Sequence, residues 1–261
     1  MSELTALINV LEDAIYEQKL DKVNEILETS PGLSQDDLNL ALGSSIDPDG
    51  DIRAMAPLFA RGAKVNHSAF RSAMMRKDLV AWQAFIDQGW DINSKEFGDI
   101  ALRSAVYNEE HVKWFLDHGV DPSIPCARGW NLPMLATNND PDKAIAILKL
   151  LLSHGAELDP KAAMFAMERP GGLPIVKFLI EEGMDVNVVL PKTGRHCRGM
   201  GRPGSFPRTL LLCAVRWEKI EIVKFLSDEG ADKNLSPDGF SATDCARNHG
   251  CTDIYELLSN W

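Results

Sequence analysis

One short phrase recurs six times along the chain, and it restricts the possible folds more than any other feature. Each copy is an apolar stretch, then a glycine, then Asp or Asn within four residues, as in Leu179-Ile-Glu-Glu-Gly183-Met-Asp-Val-Asn187. Its glycines are Gly62, Gly89, Gly119, Gly155, Gly183 and Gly230. They lie 27, 30, 36, 28 and 47 residues apart. This spacing predicts a repeated unit of about 30 residues with connections of variable length.

The residues around each glycine predict a helix that ends there and a turn that follows. Glycine takes the left-handed conformation at a helix end at little cost, and Asp or Asn favours the turn. Apolar residues precede the glycines at helical spacing with a lysine facing outward, as in 112–116, 176–180 and 223–226. Further upstream, a short segment centred on a small residue recurs at Ala73, Ala105, Ala166, Ala214 and Ala246. Each unit is therefore expected to hold two helices.

The phrase resembles the end of the ankyrin repeat, Leu-Leu-x-x-Gly-Ala-Asp-x-Asn, over almost the whole chain. The start of that repeat, Thr-Pro-Leu-His-x-Ala, is matched best by residues 208–214. The resemblance implies an all-α ankyrin-repeat solenoid, with helix-turn-helix units joined by short β-hairpin connections, in a single domain over residues 1–261. The expected units are 4–34, 35–66, 67–94, 95–125, 126–159, 160–188 and 208–237, with a closing unit at 238–261.

Composition indicates which partners the protein can have. The net charge of -11 disfavours nucleic acid or an anionic membrane as the main ligand, because both carry negative charge. No apolar run approaches the roughly 20 residues that a membrane span requires. Five cysteines without framework spacing predict free thiols and a reducing compartment, the cytoplasm or nucleus: Cys126, Cys197, Cys213, Cys245 and Cys251.

An insertion at 189–207 interrupts the repeat and explains the longest glycine spacing. Glycines and prolines exclude regular structure in it, and it contains no acidic residue. The basic residues in and beside it are Lys192, Arg195, His196, Arg198, Arg202 and Arg208. Two interpretations remain open. The insertion is either a solvated surface loop or an anchor for an acidic or phosphorylated group, which guanidinium groups bind through paired hydrogen bonds.

No motif predicts catalysis, a cofactor or a metal ion. Residues 199–204 match the spacing of a dinucleotide-binding loop, but Pro203 and Pro207 exclude the helix that such a loop must precede. The neighbouring His196 and Cys197 would point in opposite directions on an extended chain. Cys245, His249 and Cys251 supply fewer ligands than a closed zinc site needs.

The resemblance implies a partner that contacts the hairpin tips and the exposed side of the first helices, along a concave groove. The candidate residues are Trp130, Trp217, Phe165, Phe240, Tyr107, Arg76, Arg169, Arg216 and Asp99. Trp130 is the first choice, although its ring could instead fold back onto the neighbouring unit. We expect a non-catalytic, monomeric adaptor, scaffold or regulator that binds another protein.

Two other functions remain open from the sequence. One is a small-ligand-binding protein or an atypical enzyme that uses the groove beneath residues 189–207. The other is phosphate or nucleic-acid binding through the basic insertion.

Overall fold

Helices joined by turns make up the chain in a computed structural model that describes residues 3–190 and 208–261. This confirms the all-α class. In chain order the helices are α1 (Glu3–Tyr16), α2 (Leu20–Thr29), α3 (Gln35–Ile46), α4 (Met55–Ala60), α5 (His67–Met75), α6 (Val80–Asp87), α7 (Leu102–Ala105), α8 (Glu109–Asp117), α9 (Leu132–Ala136), α10 (Pro141–Ser153), α11 (Pro160–Glu168), α12 (Leu173–Glu181), α13 (Leu210–Arg216), α14 (Ile220–Asp228), α15 (Ala242–His249) and α16 (Thr252–Asn260).

Each of the eight expected units holds one odd-numbered and one even-numbered helix, here called its first and second helix. The connections between units differ from β-hairpins, because no strand occurs in the described residues. Turns take their place, with a 3-10 segment at Ala127–Gly129 in the connection between α8 and α9. Asp185 Oδ1, for example, accepts a hydrogen bond from the Asn187 amide at 2.8 Å. A bond from an Asp or Asn side chain to the backbone two residues later stabilises a turn without strand pairing.

Contacts divide the chain into two compact bodies. The N-terminal body comprises residues up to 104 together with 118–120, and the C-terminal body comprises 105–117 and 121–261. In the N-terminal body, α1 packs on α3 and α3 packs on α5. In the C-terminal body, α9, α11, α13 and α15 pack in that order, and α8, α10, α12, α14 and α16 form a second series beside them. First helices thus contact first helices, and second helices contact second helices.

Most of the first helices begin at a polar side chain that caps them. Asn131, for example, accepts a hydrogen bond from the Met134 amide at 2.9 Å, and Thr209 accepts one from the Leu212 amide at 3.2 Å. A cap satisfies an amide that lacks a partner inside the helix. Caps of this kind in the described residues are Ser34, Asn66, Asn131, Asp159, Thr209 and Ser241.

The six glycines of the repeated phrase turn the chain as the sequence predicts. All six have φ between +80° and +99°, the left-handed region that suits glycine. The asparagine that ends a phrase then bonds to the next turn. Asn187 donates to the Gly230 carbonyl at 3.2 Å and accepts from the Asp232 amide at 2.7 Å, which joins the units on either side of the insertion.

Lysines on the second helices of the C-terminal body contact the aromatic ring of the next unit. Lys149 Nζ lies 5.7 Å from the ring centroid of Phe178, and Lys177 Nζ lies 5.4 Å from that of Phe225. Such cation–π contacts contribute about 0.5–1 kcal/mol at exposed sites. Lys149 and Lys177 therefore help to hold neighbouring repeats together.

A residue in an unfavourable backbone conformation leads to a first prediction. Glu218, between α13 and α14, has φ of +56°, which costs a residue with a side chain about 1–2 kcal/mol. Glycine relieves that cost but makes the unfolded chain more flexible. Glu218→Gly should therefore raise the free energy of unfolding by about 0.5 kcal/mol, as measured by urea denaturation. Glu221→Gly, in the first turn of α14, is the matched control and should lower it by about 1 kcal/mol. Equal losses in both variants would contradict the backbone conformation at Glu218.

Candidate functional site

Arg76 and Asp99, the two candidates in the N-terminal body, are held by neighbouring groups. Arg76 forms an ion pair with Asp78 at 2.5 Å, and its Nη1 donates to the Ile46 carbonyl at 3.2 Å. Asp99 is 8% exposed, pairs with Arg103 and accepts a hydrogen bond from the Ile100 amide at 3.0 Å. Both side chains therefore stabilise the ends of first helices.

Trp130 lies at the connection that precedes α9, in the C-terminal body. Its carbonyl accepts a hydrogen bond from the Cys126 amide at 2.9 Å, across the 3-10 turn. Its ring packs on Phe165 of the next first helix, with centroids 4.9 Å apart and planes at 41°. The ring thus folds onto the neighbouring unit, which was the alternative interpretation from the sequence. Both side chains remain half-exposed.

Other candidates lie at the C-terminal ends of the first helices. Arg169 follows α11 and is exposed, Arg216 is the last residue of α13, and Trp217 follows it, both half-exposed. Arg169 Nη1 donates to Asn138 Oδ1 at 2.9 Å, and Arg216 Nη1 contacts His249 Nε2. Each arginine therefore reaches a residue of an adjacent unit.

Two aromatic candidates of the C-terminal body are largely exposed. Tyr107, after α7, is 51% exposed, and Phe240, before α15, is 61% exposed. Exposed aromatic rings of this kind are available to a partner without any change in the core.

The insertion is closed at its base by backbone and side-chain bonds. Leu190 donates its amide to the Arg208 carbonyl at 2.7 Å, and Arg208 Nε donates to the Leu190 carbonyl at 2.7 Å. Arg208 also pairs with Asp238 at 3.3 Å. It is therefore part of the base of the insertion. The other predicted basic residues lie outside the described residues: Lys192, Arg195, His196, Arg198 and Arg202.

The thiols near the end of the chain are poorly suited to nucleophilic or metal chemistry. Burial raises the pKa of Cys245, against a smaller opposing effect of the Arg216 charge. Burial and the charge of Glu218 raise the pKa of Cys251, which lines a cavity of 370 Å³ with Glu218 and residues 250–254. A raised pKa keeps a thiol protonated, and the thiolate is the reactive form. Across residues 3–190 and 208–261, no three His, Cys, Asp or Glu side chains are grouped to hold a metal ion.

Asn138 and His249 were missed as members of the surface, although they contact the predicted Arg169 and Arg216. Asn138 follows the small residue Ala136 of its first helix by two positions, and His249 follows Ala246 by three. Arg169 and Arg216 likewise follow Ala166 and Ala214 by three and two positions. Aligning the units on that residue would have revealed them.

None of the described helices is both long enough and apolar enough to span a membrane.

Comparison with known proteins agrees with the repeat. A family model of ankyrin repeats, three copies long, matches residues 102–190 and again residues 163–260. No curated protein sequence matches the chain. Ankyrin repeats generally mediate interactions between proteins and are typically not enzymes. The two overlapping matches cover more than half of the sequence, and the chain belongs to the ankyrin-repeat family.

Proposed function

We propose that the protein is an adaptor or regulator that holds a partner protein on the first helices of its C-terminal body. The observation that carries this proposal is the ring pair of Trp130 and Phe165. The two rings belong to successive units, pack at 4.9 Å and stay half-exposed. A pair of this kind offers a large apolar contact that is already rigid before the partner arrives.

The residue types around the ring pair support this proposal. Tryptophan, tyrosine and arginine dominate the binding energy of protein interfaces. Trp217, Arg169 and Arg216 lie at the ends of first helices that pack in series with α9. Because packed helices carry these side chains, a partner orders few of them on binding, and the entropic cost is small.

The proposal also includes a reducing compartment, the cytosol or the nucleus. No cysteine of the described residues is in a disulfide.

The basic insertion is proposed as a second contact for an acidic segment of the partner. It carries four Lys and Arg residues and no acidic residue, although the net charge of the chain is -11. A variant lacking residues 191–206 tests that contact separately.

Trp130→Ala should weaken partner binding by about tenfold or more, because a truncated aromatic anchor typically costs this much. The lost ring contact should also lower the free energy of unfolding by about 0.5–1.5 kcal/mol, so the variant stays folded. Tagged wild-type and variant chains are used to capture partners from cell lysate. The partner is identified by mass spectrometry, and its dissociation constant is then measured with purified components by calorimetry.

Tyr16→Ala is the matched control, since Tyr16 is an aromatic residue 47% exposed on α1 in the other body. It should leave the dissociation constant unchanged. Equal affinity of wild type and Trp130→Ala, or no partner above background with the wild type, would show that the proposed function is wrong.

A further inference from the structure

Two arginines of the C-terminal body bind neutral acceptors although the chain is rich in carboxylates. Arg169 donates to the amide oxygen of Asn138 at 2.9 Å, and Arg216 meets the imidazole of His249. Neither forms an ion pair within the described residues. The described arginines that do have a carboxylate partner are Arg53, Arg76, Arg103, Arg208 and Arg247. Arg169 and Arg216 therefore lack a paired carboxylate within the described residues.

These four residues form one row, here called the arginine row (Asn138, Arg169, Arg216 and His249). Asn138 follows α9, Arg169 follows α11, and the other two end α13 and α15. Since these helices pack in that order, the row crosses four successive units at equivalent positions. All four side chains are exposed or half-exposed, so a partner can reach them.

The charges around the row favour an anion of modest charge. Arg216 contacts an imidazole and no carboxylate, which leaves its charge without a paired counterion. Glu168 and Glu218 are exposed on the same stretch of the surface, and neither pairs with Arg169 or Arg216 in the described residues. These glutamates offset much of the attraction of Arg169 and Arg216 for a second negative charge, so a doubly charged phosphate gains little over a singly charged carboxylate.

We propose that the arginine row binds an extended acidic segment of the partner, with one carboxylate at every third residue. Guanidinium groups bind carboxylates through two parallel hydrogen bonds. Neighbouring packed helices lie about 8–10 Å apart. A segment in the polyproline II conformation advances about 3.1 Å per residue and completes one turn in about three residues, so every third side chain lies on the same side and about one unit further along. One carboxylate then meets Arg169 and the next meets Arg216 with His249.

This inference rests on the proposed function but is tested without the natural partner. The probe is a labelled Ser/Gly peptide with Glu at every third position, and the comparison peptide has the same composition with its Glu residues adjacent. Binding to the full chain is measured by fluorescence anisotropy. The spaced peptide should bind more tightly, and its affinity should fall as salt is added, because exposed charges are screened.

Arg169→Gln and Arg216→Gln should each weaken binding of the spaced peptide by about tenfold, the size expected for a charge-assisted contact. Arg71→Gln removes the same charge from an exposed residue on α5 and should have little effect. Circular dichroism checks that each variant is folded. Equal weakening by Arg71→Gln, equal binding of the two peptides, or no binding of the spaced peptide would each overturn the inference.

A phosphoserine version of the spaced peptide tests the other anion. Tighter binding of that version would overturn the preference for carboxylate. A natural partner that is lost on Trp130→Ala but kept by Arg169→Gln and Arg216→Gln would refute the arginine row and leave the proposed function intact.

Discussion

Leu179→Ala should lower the free energy of unfolding by about 2–5 kcal/mol. Leu179 is 0% exposed in α12, which packs against α10, α11 and α14. Truncation removes apolar contacts of a fully buried side chain and leaves a cavity that the packed helices can close only in part. The loss is measured by urea denaturation, followed by circular dichroism.

Leu40→Ala, the same substitution at a residue 44% exposed on α3, is its control. It should change the free energy of unfolding by about 0.5 kcal/mol or less, as surface substitutions usually do. Similar losses in the two variants would mean that Leu179 does not lie in a core between successive repeats.

Gly172→Ala should lower the free energy of unfolding by about 3 kcal/mol, at the upper end for an overpacked site. A Cβ at this position would lie 2.6 Å from the carbonyl carbon of Ala166 and closer still to its oxygen. These are backbone atoms, so the turn between α11 and α12 would have to move. The φ of Gly172 is -72°, which any residue adopts, so crowding alone is responsible. Thermal and urea denaturation both report the loss.

The matched comparison is Gly183→Ala, for which the physical reason is different. Gly183 has φ of +99°, and a Cβ there would meet nothing within 4 Å. Alanine should therefore cost only the left-handed conformation, about 1–2 kcal/mol. If Gly183→Ala is as damaging as Gly172→Ala, the close approach to Ala166 does not exist.

These two glycines show what the sequence could and could not predict. Gly183 belongs to a phrase with six copies, and its local chemistry alone indicated a helix end. Gly172 belongs to no repeated phrase, because its role depends on the distance between two backbone segments. The caps of the first helices were missed for another reason. Asn66 and Asp159 end two copies of the phrase, where the sequence indicated only a turn, and Ser34 lies outside the phrase.

The candidate surface was predicted less completely than the fold. The sequence placed Trp130, Phe165, Arg169 and Arg216 among the partner contacts, and the structure puts all four in the C-terminal body. It could not distinguish Arg169 from Arg76, since both follow a small residue of a first helix by three positions. The difference is that Arg76 pairs with Asp78, whereas Arg169 is followed by Pro170 and Gly171.

The closed base of the insertion has a practical consequence for engineering. Leu190 and Arg208 are joined by two hydrogen bonds, and Asn187 ties the preceding unit to Gly230 of the next. The cost of closing a loop grows only slowly with its length. Foreign peptides of different lengths could therefore replace residues 191–207 while the repeats keep their register, so that this junction serves as a display site.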